Sequence, residues 1–326
     1  MSTTPLPTAS NTPAVRNVRA YFAAPQLNNS TTPPTLTPIL FDAALNGSFP
    51  LDTPPAPWLS LGYISGFSRR SLSKQMALQT GQPATTLIQL RESFDCELSL
   101  RFLSWTKLTL ALACGTQHIN LLGGAPAAGG QPSGGGETAA APILAGSTAS
   151  MLQMNAGDVA NLAAGQHIVV DLDYAGQTGY VGSPIVGSYI RNSFTDANYL
   201  RRLSFNLARI SGIQGNNVYL SAPLPYGVPA TGMNLKTVSG YLDREGGVFL
   251  REWSALFVME GEQGDRILYH YPRLQSTHTA AESSEPLDTG IEAVSLAASF
   301  RALPITDPLD GETVLCYRSY LPAASY

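Results

Sequence analysis

Residues 94–102 read FDCELSLRF, a stretch in which apolar and polar side chains alternate without a break. A period of two is typical of a β-strand that buries one face and exposes the other. The residues that follow, up to Gly115, carry apolar side chains at helical spacing, with Ser104 as a candidate N-cap and the glycine as a candidate C-cap. The sequence therefore predicts a half-buried strand that leads directly into one short α-helix.

The last third of the chain predicts further, longer strands. Residues 246–261 are strongly apolar and rich in aromatic side chains, and residues 264–275 follow after a tight turn, so the two segments indicate a β-hairpin. Residues 290–304 alternate again, and residues 312–321 favour a final strand. Because helix signals are few, we expect a mainly β fold, a β-sandwich or β-barrel core with one short flanking helix.

The middle of the chain has a different texture. Residues 123–142 are rich in Gly, Ala and Pro and contain a single charged residue, which is typical of a flexible linker. Residues 143–232 contain short β-branched runs at about ten-residue spacing, with turn signals between them. This pattern predicts an inserted small β-barrel or sandwich, so the core is expected to consist of residues 59–122 and 233–326.

The first 58 residues predict an extended N-terminal arm. Residues 1–58 hold 11 of the 24 prolines and only four charged residues. Proline removes a backbone donor and forces extended geometry on the residue before it. The segment also contains apolar side chains that require burial, so we expect the arm to lie on its own domain or on a neighbouring subunit.

Composition excludes several classes of protein. The chain has 326 residues, a net charge of −4 and only 13% charged residues, about half the roughly 25% of an average globular protein. The low charge argues against a coiled coil, the lack of a basic excess against a phosphate-backbone binder, and the apolar content against a disordered chain. A surface with so little charge must be covered by neutral polar groups or by other subunits.

No catalytic, cofactor-binding or metal-binding residues are predicted. The three cysteines form no close pair, and the four histidines form no metal-binding spacing. Asp171, Asp173 and His270 are the only candidates for a hydrolytic site, and a solvated face or a polar interface is the more economical interpretation of each. No apolar stretch is long enough to span a membrane and no signal peptide is visible, so we expect folding in the cytoplasm.

Four segments together resemble a known family. They are LALACG at 110–115, the aromatic strand FLREWSALFVME at 249–260 with YHYPRLQ at 269–275, and SLAASFRALPITDPLDGETVLCY at 295–317. Their order resembles the major tail tube protein of long-tailed bacteriophages, which is related in fold to the ring proteins of contractile injection machines. The likeness covers residues 58–122 and 240–320. The middle of the chain departs from the basic tube fold, so the resemblance implies an added domain on the outside of the tube.

The resemblance implies a structural virion protein and not an enzyme. Copies of the chain would form stacked hexameric rings, the tail tube through which DNA is ejected, after assembly in the host cytoplasm. The implied partners are further copies of the chain, tape-measure, tail-terminator and baseplate proteins, and genomic DNA that passes through the lumen without sequence-specific binding. No cofactor is implied.

Aromatic and apolar side chains are the candidate contacts between subunits: Tyr21, Phe22, Phe41, Trp58, Trp105, Leu108, Tyr269 and Tyr271. Two other functions stay open at this point. One is a phage baseplate or capsid-decorating protein with a carbohydrate- or host-binding β module, and the other is a β-rich hydrolase that uses the residues named above.

Overall fold

A computed structural model of the chain describes residues 14–28, 35–115, 117–122, 140–172, 206–244, 252–286 and 292–323. Strands account for 59% and helices for 7% of the structure, and large antiparallel sheets dominate it. The prediction of a mainly β fold is therefore confirmed.

The described elements comprise eighteen strands and three short helices. The helices are α1 (Ala43–Asn46), α2 (Lys107–Cys114) and α3 (Ala156–Val159). The strands are β1 (Val15–Ala23), β2 (Gln26–Asn28), β3 (Thr35–Thr37), β4 (Leu59–Thr80), β5 (Thr85–Phe102), β6 (Gln117–Leu122), β7 (Ala141–Pro142), β8 (Met151–Gln153), β9 (His167–Leu172), β10 (Leu207–Gln214), β11 (Asn217–Leu220), β12 (Met233–Arg244), β13 (Glu252–Gly261), β14 (Arg266–Pro286), β15 (Glu292–Ala302), β16 (Ile305–Thr306), β17 (Thr313–Val314) and β18 (Tyr317–Leu321).

Six strands close on themselves into what we call the large barrel. The order around it is β13–β1–β4–β5–β15–β14, and β14 pairs again with β13. Closure occurs at Leu274, which pairs with Trp253 of β13 on one side and with Ala302 of β15 on the other. A closed sheet has no free edges along its paired length, and its interior is filled by one continuous apolar cluster.

The alternation read from residues 94–102 is reproduced from Cys96 to Phe102 of β5. Cys96, Leu98, Leu100 and Phe102 are buried in the large barrel, whereas Phe94 is exposed. Helix α2 follows, but its N-cap is Thr106 rather than Ser104. Thr106 and Thr109 form reciprocal side chain to backbone hydrogen bonds, a capping box that a threonine pair three residues apart can close.

Helix α2 ends as predicted and lies against the large barrel. Gly115 adopts a left-handed backbone with φ of 61°, and its N–H donates to the carbonyl of Ala111. Glycine is suited to this position because a side chain would be strained there. The carbonyl of Ala113 accepts a hydrogen bond from the hydroxyl of Ser276 on β14, with 2.7 Å between the two oxygen atoms.

The predicted N-terminal arm is in part a strand of the large barrel. Strand β1 pairs with β13 on one side and with β4 on the other. Ala20 and Phe22 are in the interior cluster, while Tyr21 and Ala23 belong to a second apolar cluster that also contains Phe49. From Ala20 to Ala23 both faces of β1 are buried, because the segment that includes Phe49 covers the outer wall. Residues 1–13 and 29–34 lie outside the described part of the chain.

The inserted module is a second, small barrel. Strands β12, β9, β10, β11 and β8 pair in that order, β7 pairs with β12, and a bridge between Ile143 and Met154 joins the β7 side to the β8 side. Its apolar core is separate from that of the large barrel. Strands β6 and β12 also belong to this sheet, so the small barrel begins and ends further out than the expected boundaries 143 and 232. The linker at 123–142 lies outside the described residues except for its last three.

Helix α2 and the loop before it join the two barrels. Trp105 stacks on Tyr241 of β12, with ring centroids 5.9 Å apart and an angle of 28° between the planes. Lys107 is buried, and burial lowers its pKa to about 7 although the negative charge of Asp171 on β9 opposes that shift. An aromatic stack and a buried lysine close to an acidic group therefore connect α2 to the small barrel.

Candidate assembly interface

The β4–β5 hairpin extends far beyond the large barrel. Strand β1 pairs with β4 only as far as Ile64, and β15 pairs with β5 only from Glu97 onward. Between these points, residues 65–96 form a two-stranded arm that we call the first ribbon. Every residue from Arg70 to Phe94 is exposed, and no other described strand pairs with either outer edge of the ribbon.

Beyond Ser68, this ribbon consists of two paired strands with two shifts of register and a tight turn. The register shifts after Lys74 and again after Leu78, which leaves Glu92 and Leu87 of β5 without a direct partner on β4. Such bulges bend and twist a strand pair. Glu92 instead forms an ion pair with Lys74, at 2.8 Å between carboxylate oxygen and ammonium nitrogen. Gly81 turns the chain with φ of +89°, a conformation that favours glycine.

One face of the first ribbon is apolar. Met76 pairs directly with Leu90, and Leu78 pairs directly with Ile88. Directly opposed residues share a face, and residues two apart on a strand share a face as well. The four side chains are 48–55% exposed, so they form a contiguous apolar surface that the described residues leave uncovered.

The root of the first ribbon is fixed to the large barrel. Arg301 on β15 forms ion pairs with Asp95 and Glu97 on β5, at 2.6 Å and 3.7 Å. Cys96, between these two residues, is completely buried. The ribbon therefore leaves the barrel at a defined position, and only its outer part lacks tertiary packing.

The β14–β15 hairpin forms the second ribbon. We use this name for residues 276–286 and 292–295, the described residues of the hairpin beyond the large barrel. Strand β13 pairs with β14 only as far as Gln275, and β5 pairs with β15 only from Leu296 onward. The ribbon is held at its base by the hydrogen bond from Ser276 to α2.

The two ribbons leave the large barrel at opposite ends. In the antiparallel β5–β15 pair, Glu97 lies opposite Arg301 and Phe102 lies opposite Leu296. Continuing β5 away from Glu97 leads to the first ribbon, beyond the Arg301 end of β15. Continuing β15 away from Leu296 leads to the second ribbon, beyond the Phe102 end of β5.

The ribbons also carry opposite charge. The sequence from Arg69 to Arg91 contains four basic residues and no acidic residue, and the next residue is Glu92. The sequence from Ser276 to Ser295 contains four acidic residues and neither Lys nor Arg. The chain is close to neutral as a whole, so this separation of charge is a local property of the two ribbons.

Half of the eight predicted contact residues are packed inside the chain. Four are buried in the two clusters of the large barrel, namely Tyr21, Phe22, Trp58 and Tyr271. Burial raises the pKa of Tyr21 to about 12 and raises that of Tyr271 further. Contact within the chain removes the reason that the sequence offered for placing these aromatic residues at an interface between subunits.

The other four predicted contact residues keep some accessible surface. Phe41, Leu108 and Tyr269 are half-buried against the clusters. Trp105 is 47% exposed beside its stack on Tyr241. Their role as contacts between subunits stays a prediction. The residues that sequence reasoning did not single out are those of the apolar face of the first ribbon, although their alternation at 76, 78, 88 and 90 is visible once the hairpin is known.

The candidate hydrolytic residues are not brought together. Asp171 is buried in the small barrel and His270 is buried in the large barrel, while Asp173 lies outside the described residues. His270 packs among Phe41, Trp58 and Tyr317. Burial lowers the pKa of His270 to about 4, against the raising effect of its hydrogen bond to the carbonyl of Ile39.

The described part of the chain shows neither a metal-binding cluster nor a membrane-spanning helix. Among these residues, no group of three or more His, Cys, Asp or Glu side chains could hold a metal ion. No helix among them has both the length and the apolar character needed to cross a membrane.

Comparison with models of known protein families gives no match, and comparison with curated proteins gives no match either.

Proposed function

We propose that the chain is a structural virion protein whose copies assemble into stacked hexameric rings, the tail tube of a long-tailed bacteriophage. The proposal rests on the resemblance of residues 58–122 and 240–320 to tail tube proteins and on one observation above all. The first ribbon is a long hairpin with two unpaired edges and an exposed apolar face. A ribbon of this kind is suited to pairing with a neighbouring chain.

The physical reason is the instability of an isolated hairpin. A two-stranded hairpin alone is marginal in water, and unpaired strand edges invite pairing with another chain. Natural proteins shorten, charge or cover their edge strands, but the strands of the first ribbon run over more than ten residues each. The ribbon is therefore suited to β-augmentation, in which a partner adds strands through main-chain hydrogen bonds.

The partner in this proposal is a further copy of the chain. Surfaces that lie at opposite ends of a subunit produce head-to-tail contacts, and such contacts give closed rings or open filaments according to the rotation between copies. A tube of stacked rings uses both arrangements, because its rings are closed and their stack is open along the tube axis. Tape-measure, tail-terminator and baseplate proteins would contact the ends and the lumen of the tube, and DNA would pass through without base recognition.

Negative-stain electron microscopy of the purified chain tests the proposal. Hollow tubes or stacked rings at micromolar concentration are the expected result. Isolated monomers or trimers would contradict it and favour the alternative of a baseplate or decorating protein, with the small barrel as a carbohydrate- or host-binding module.

A further inference from the structure

We propose that residues 39–58 form a strap that acid releases from the outer wall of the large barrel, with protonation of His270 as the trigger. The strap lies between β3 and β4 in the chain and contains α1. Its release uncovers apolar residues of the wall. This inference goes beyond the proposed function, because it concerns a movement within one copy and does not depend on assembly.

The strap covers the wall through side chains and not through strand pairing. Strand β3 ends at Thr37 and β4 begins at Leu59, and the residues between them, all described, contain no strand. Apolar side chains of the strap, among them Phe41, Phe49 and Trp58, pack on outward-facing residues of β1, β13 and β14. A segment held in this way can open locally at a lower cost in free energy than strands that are paired on both sides.

The later part of the strap is held by long polar side chains of the wall. Arg266 donates hydrogen bonds to the carbonyls of Gly47 and Phe49, at 3.0 Å and 2.8 Å. The hydroxyl of Tyr21 donates to the carbonyl of Leu51, at 2.8 Å. Guanidinium and phenol groups keep these protons in acid, so a fall in pH does not act on these contacts directly.

The first residue of the strap is held by two partners, and one of them titrates. The backbone N–H of Ile39 donates to Oγ of Ser254 at 2.8 Å, and the carbonyl of Ile39 lies 3.1 Å from Nε2 of His270. A carbonyl can only accept, so Nε2 carries the proton in this contact. In the neutral ring Nδ1 is then unprotonated, and it is buried without a hydrogen-bond partner among the described residues.

A second proton on this ring has no favourable place while the strap is closed. It would sit on Nδ1, and the ring of His270 is enclosed by those of Phe41, Trp58 and Tyr317. A buried charge without a partner is costly, and burial accordingly lowers the pKa of His270 to about 4. Because β14 pairs with β13 and with β18 at His270, lifting the strap is the least costly way to bring water to the imidazolium.

The acidic groups of β18 and of the strap are engaged elsewhere. Tyr317, which stacks on the imidazole, donates its hydroxyl to Asp307 at 2.7 Å. Asp42 caps α1 by accepting hydrogen bonds from backbone N–H groups of its first turn. Asp52 forms an ion pair with Arg19 of β1. None of these carboxylates therefore accepts a hydrogen bond from the imidazole in the closed strap.

The charges of β13 and β14 are matched away from the site. Glu252 of β13 forms an ion pair with Arg273 at 2.7 Å. At the other end of the same strand pair, Glu260 lies directly opposite Arg266. Proton uptake that opposes the closed strap is therefore expected at His270.

Hydrogen–deuterium exchange with mass spectrometry, corrected for the intrinsic effect of pH on exchange, tests the release at pH 7 and pH 4.5. A pKa of about 4 in the closed strap and about 6.5 in the open one favours opening by roughly 60-fold more at the lower pH. Peptides within residues 39–58 are expected to lose protection by about this factor, while peptides of β13 keep theirs.

Substitutions separate His270 from carboxylates, which also begin to bind protons at pH 4.5. His270→Gln keeps an N–H donor for the carbonyl of Ile39 and does not titrate, so its strap is expected to stay protected. Ser254→Ala removes the other hydrogen bond of Ile39 and is expected to raise exchange at both pH values by the same factor. The matched control His167→Gln removes an exposed histidine of the small barrel and is expected to keep the pH response.

Three outcomes would overturn the release. They are a strap that stays protected at pH 4.5, loss of protection in β13 together with the strap, and an unchanged pH response in His270→Gln. If His270→Gln does not fold by circular dichroism, an NMR titration of the unmodified chain decides instead. Proton uptake by His270 should then coincide with the loss of strap protection, and uptake while the strap remains protected would contradict the proposal. None of these measurements depends on assembly, so their failure leaves the tube proposal unaffected.

Discussion

The sharpest prediction concerns the apolar face of the first ribbon. The perturbation replaces Met76, Leu78, Ile88 and Leu90 together with threonine. These residues are 48–55% exposed in the single chain, so about half of each side chain remains to be buried by a neighbour. Threonine keeps a high β-propensity, and the exposed positions mean that the large barrel loses little packing.

The magnitude follows from the area left to bury. Full burial of a Leu, Ile or Met side chain stabilises by about 1.5–3 kcal/mol, so the exposed half contributes about 1 kcal/mol for each residue. Four such residues give about 4 kcal/mol for each contact between copies. Since every 1.4 kcal/mol is a factor of about ten in affinity, the contact should weaken by nearly three orders of magnitude.

The assay compares assembly with folding in the same protein. Sedimentation velocity across a concentration series should show loss of assembly, while the denaturant midpoint should fall only slightly, since surface substitutions usually change stability by less than about 0.5 kcal/mol each. The control replaces the exposed Val228 and Leu309 with threonine, which lie outside the ribbons. The reasoning would be refuted if the fourfold variant assembled at the same concentration as the unmodified chain, or if the control variant lost assembly to the same extent.

Three further predictions concern stability and domain organisation. The pKa of His270 is about 4 in the folded chain and 6.5 in the unfolded chain, so the free energy of unfolding should fall by about 3 kcal/mol as the pH drops from 6.5 to 4. Urea unfolding at both pH values measures this fall, and His270→Phe should reduce it. An equal fall in the variant would assign the pH dependence to other groups. Phe257→Ala empties a fully buried site and should cost about 3–5 kcal/mol, and a loss below 1 kcal/mol in the same assay would mean that the interior is not packed as described. Deletion of residues 117–244 should leave a folded large barrel by circular dichroism. Deletion of 143–232 should instead cause aggregation, because it removes β9 and leaves β12 paired only with β6 and β7. A folded protein after the shorter deletion and an unfolded one after the longer deletion would contradict the placement of β12.

The local sequence pattern was sufficient to predict an element where that element packs one face against a single core. The alternation of β5 and the C-cap glycine of α2 were readable from the sequence because burial there follows a regular period. The β13–β14 hairpin was readable for a different reason, because a strongly apolar run is followed by a tight turn. These elements make up much of the wall of the large barrel, so the mainly β class followed from them.

Other features depend on contacts between distant parts of the chain. Strand β1 has apolar residues on both faces because a later segment of the chain covers its outer side, and this covering cannot be read from residues 15–23 alone. The first ribbon has the alternation of a half-buried strand, yet no core lies beneath Met76 or Leu90. Strand β12 joins the small barrel because of its pairing with β9 and β6, which no composition shift marks.

A cryo-electron microscopy reconstruction of the assembled, purified chain tests most directly whether copies join through their ribbons. The expected map is a hollow tube of stacked rings in which residues 65–96 of each subunit contact a neighbouring subunit. A map in which the first ribbon is exposed to solvent would contradict the role proposed for it in assembly. A chain that stays monomeric at every concentration would contradict the tube itself.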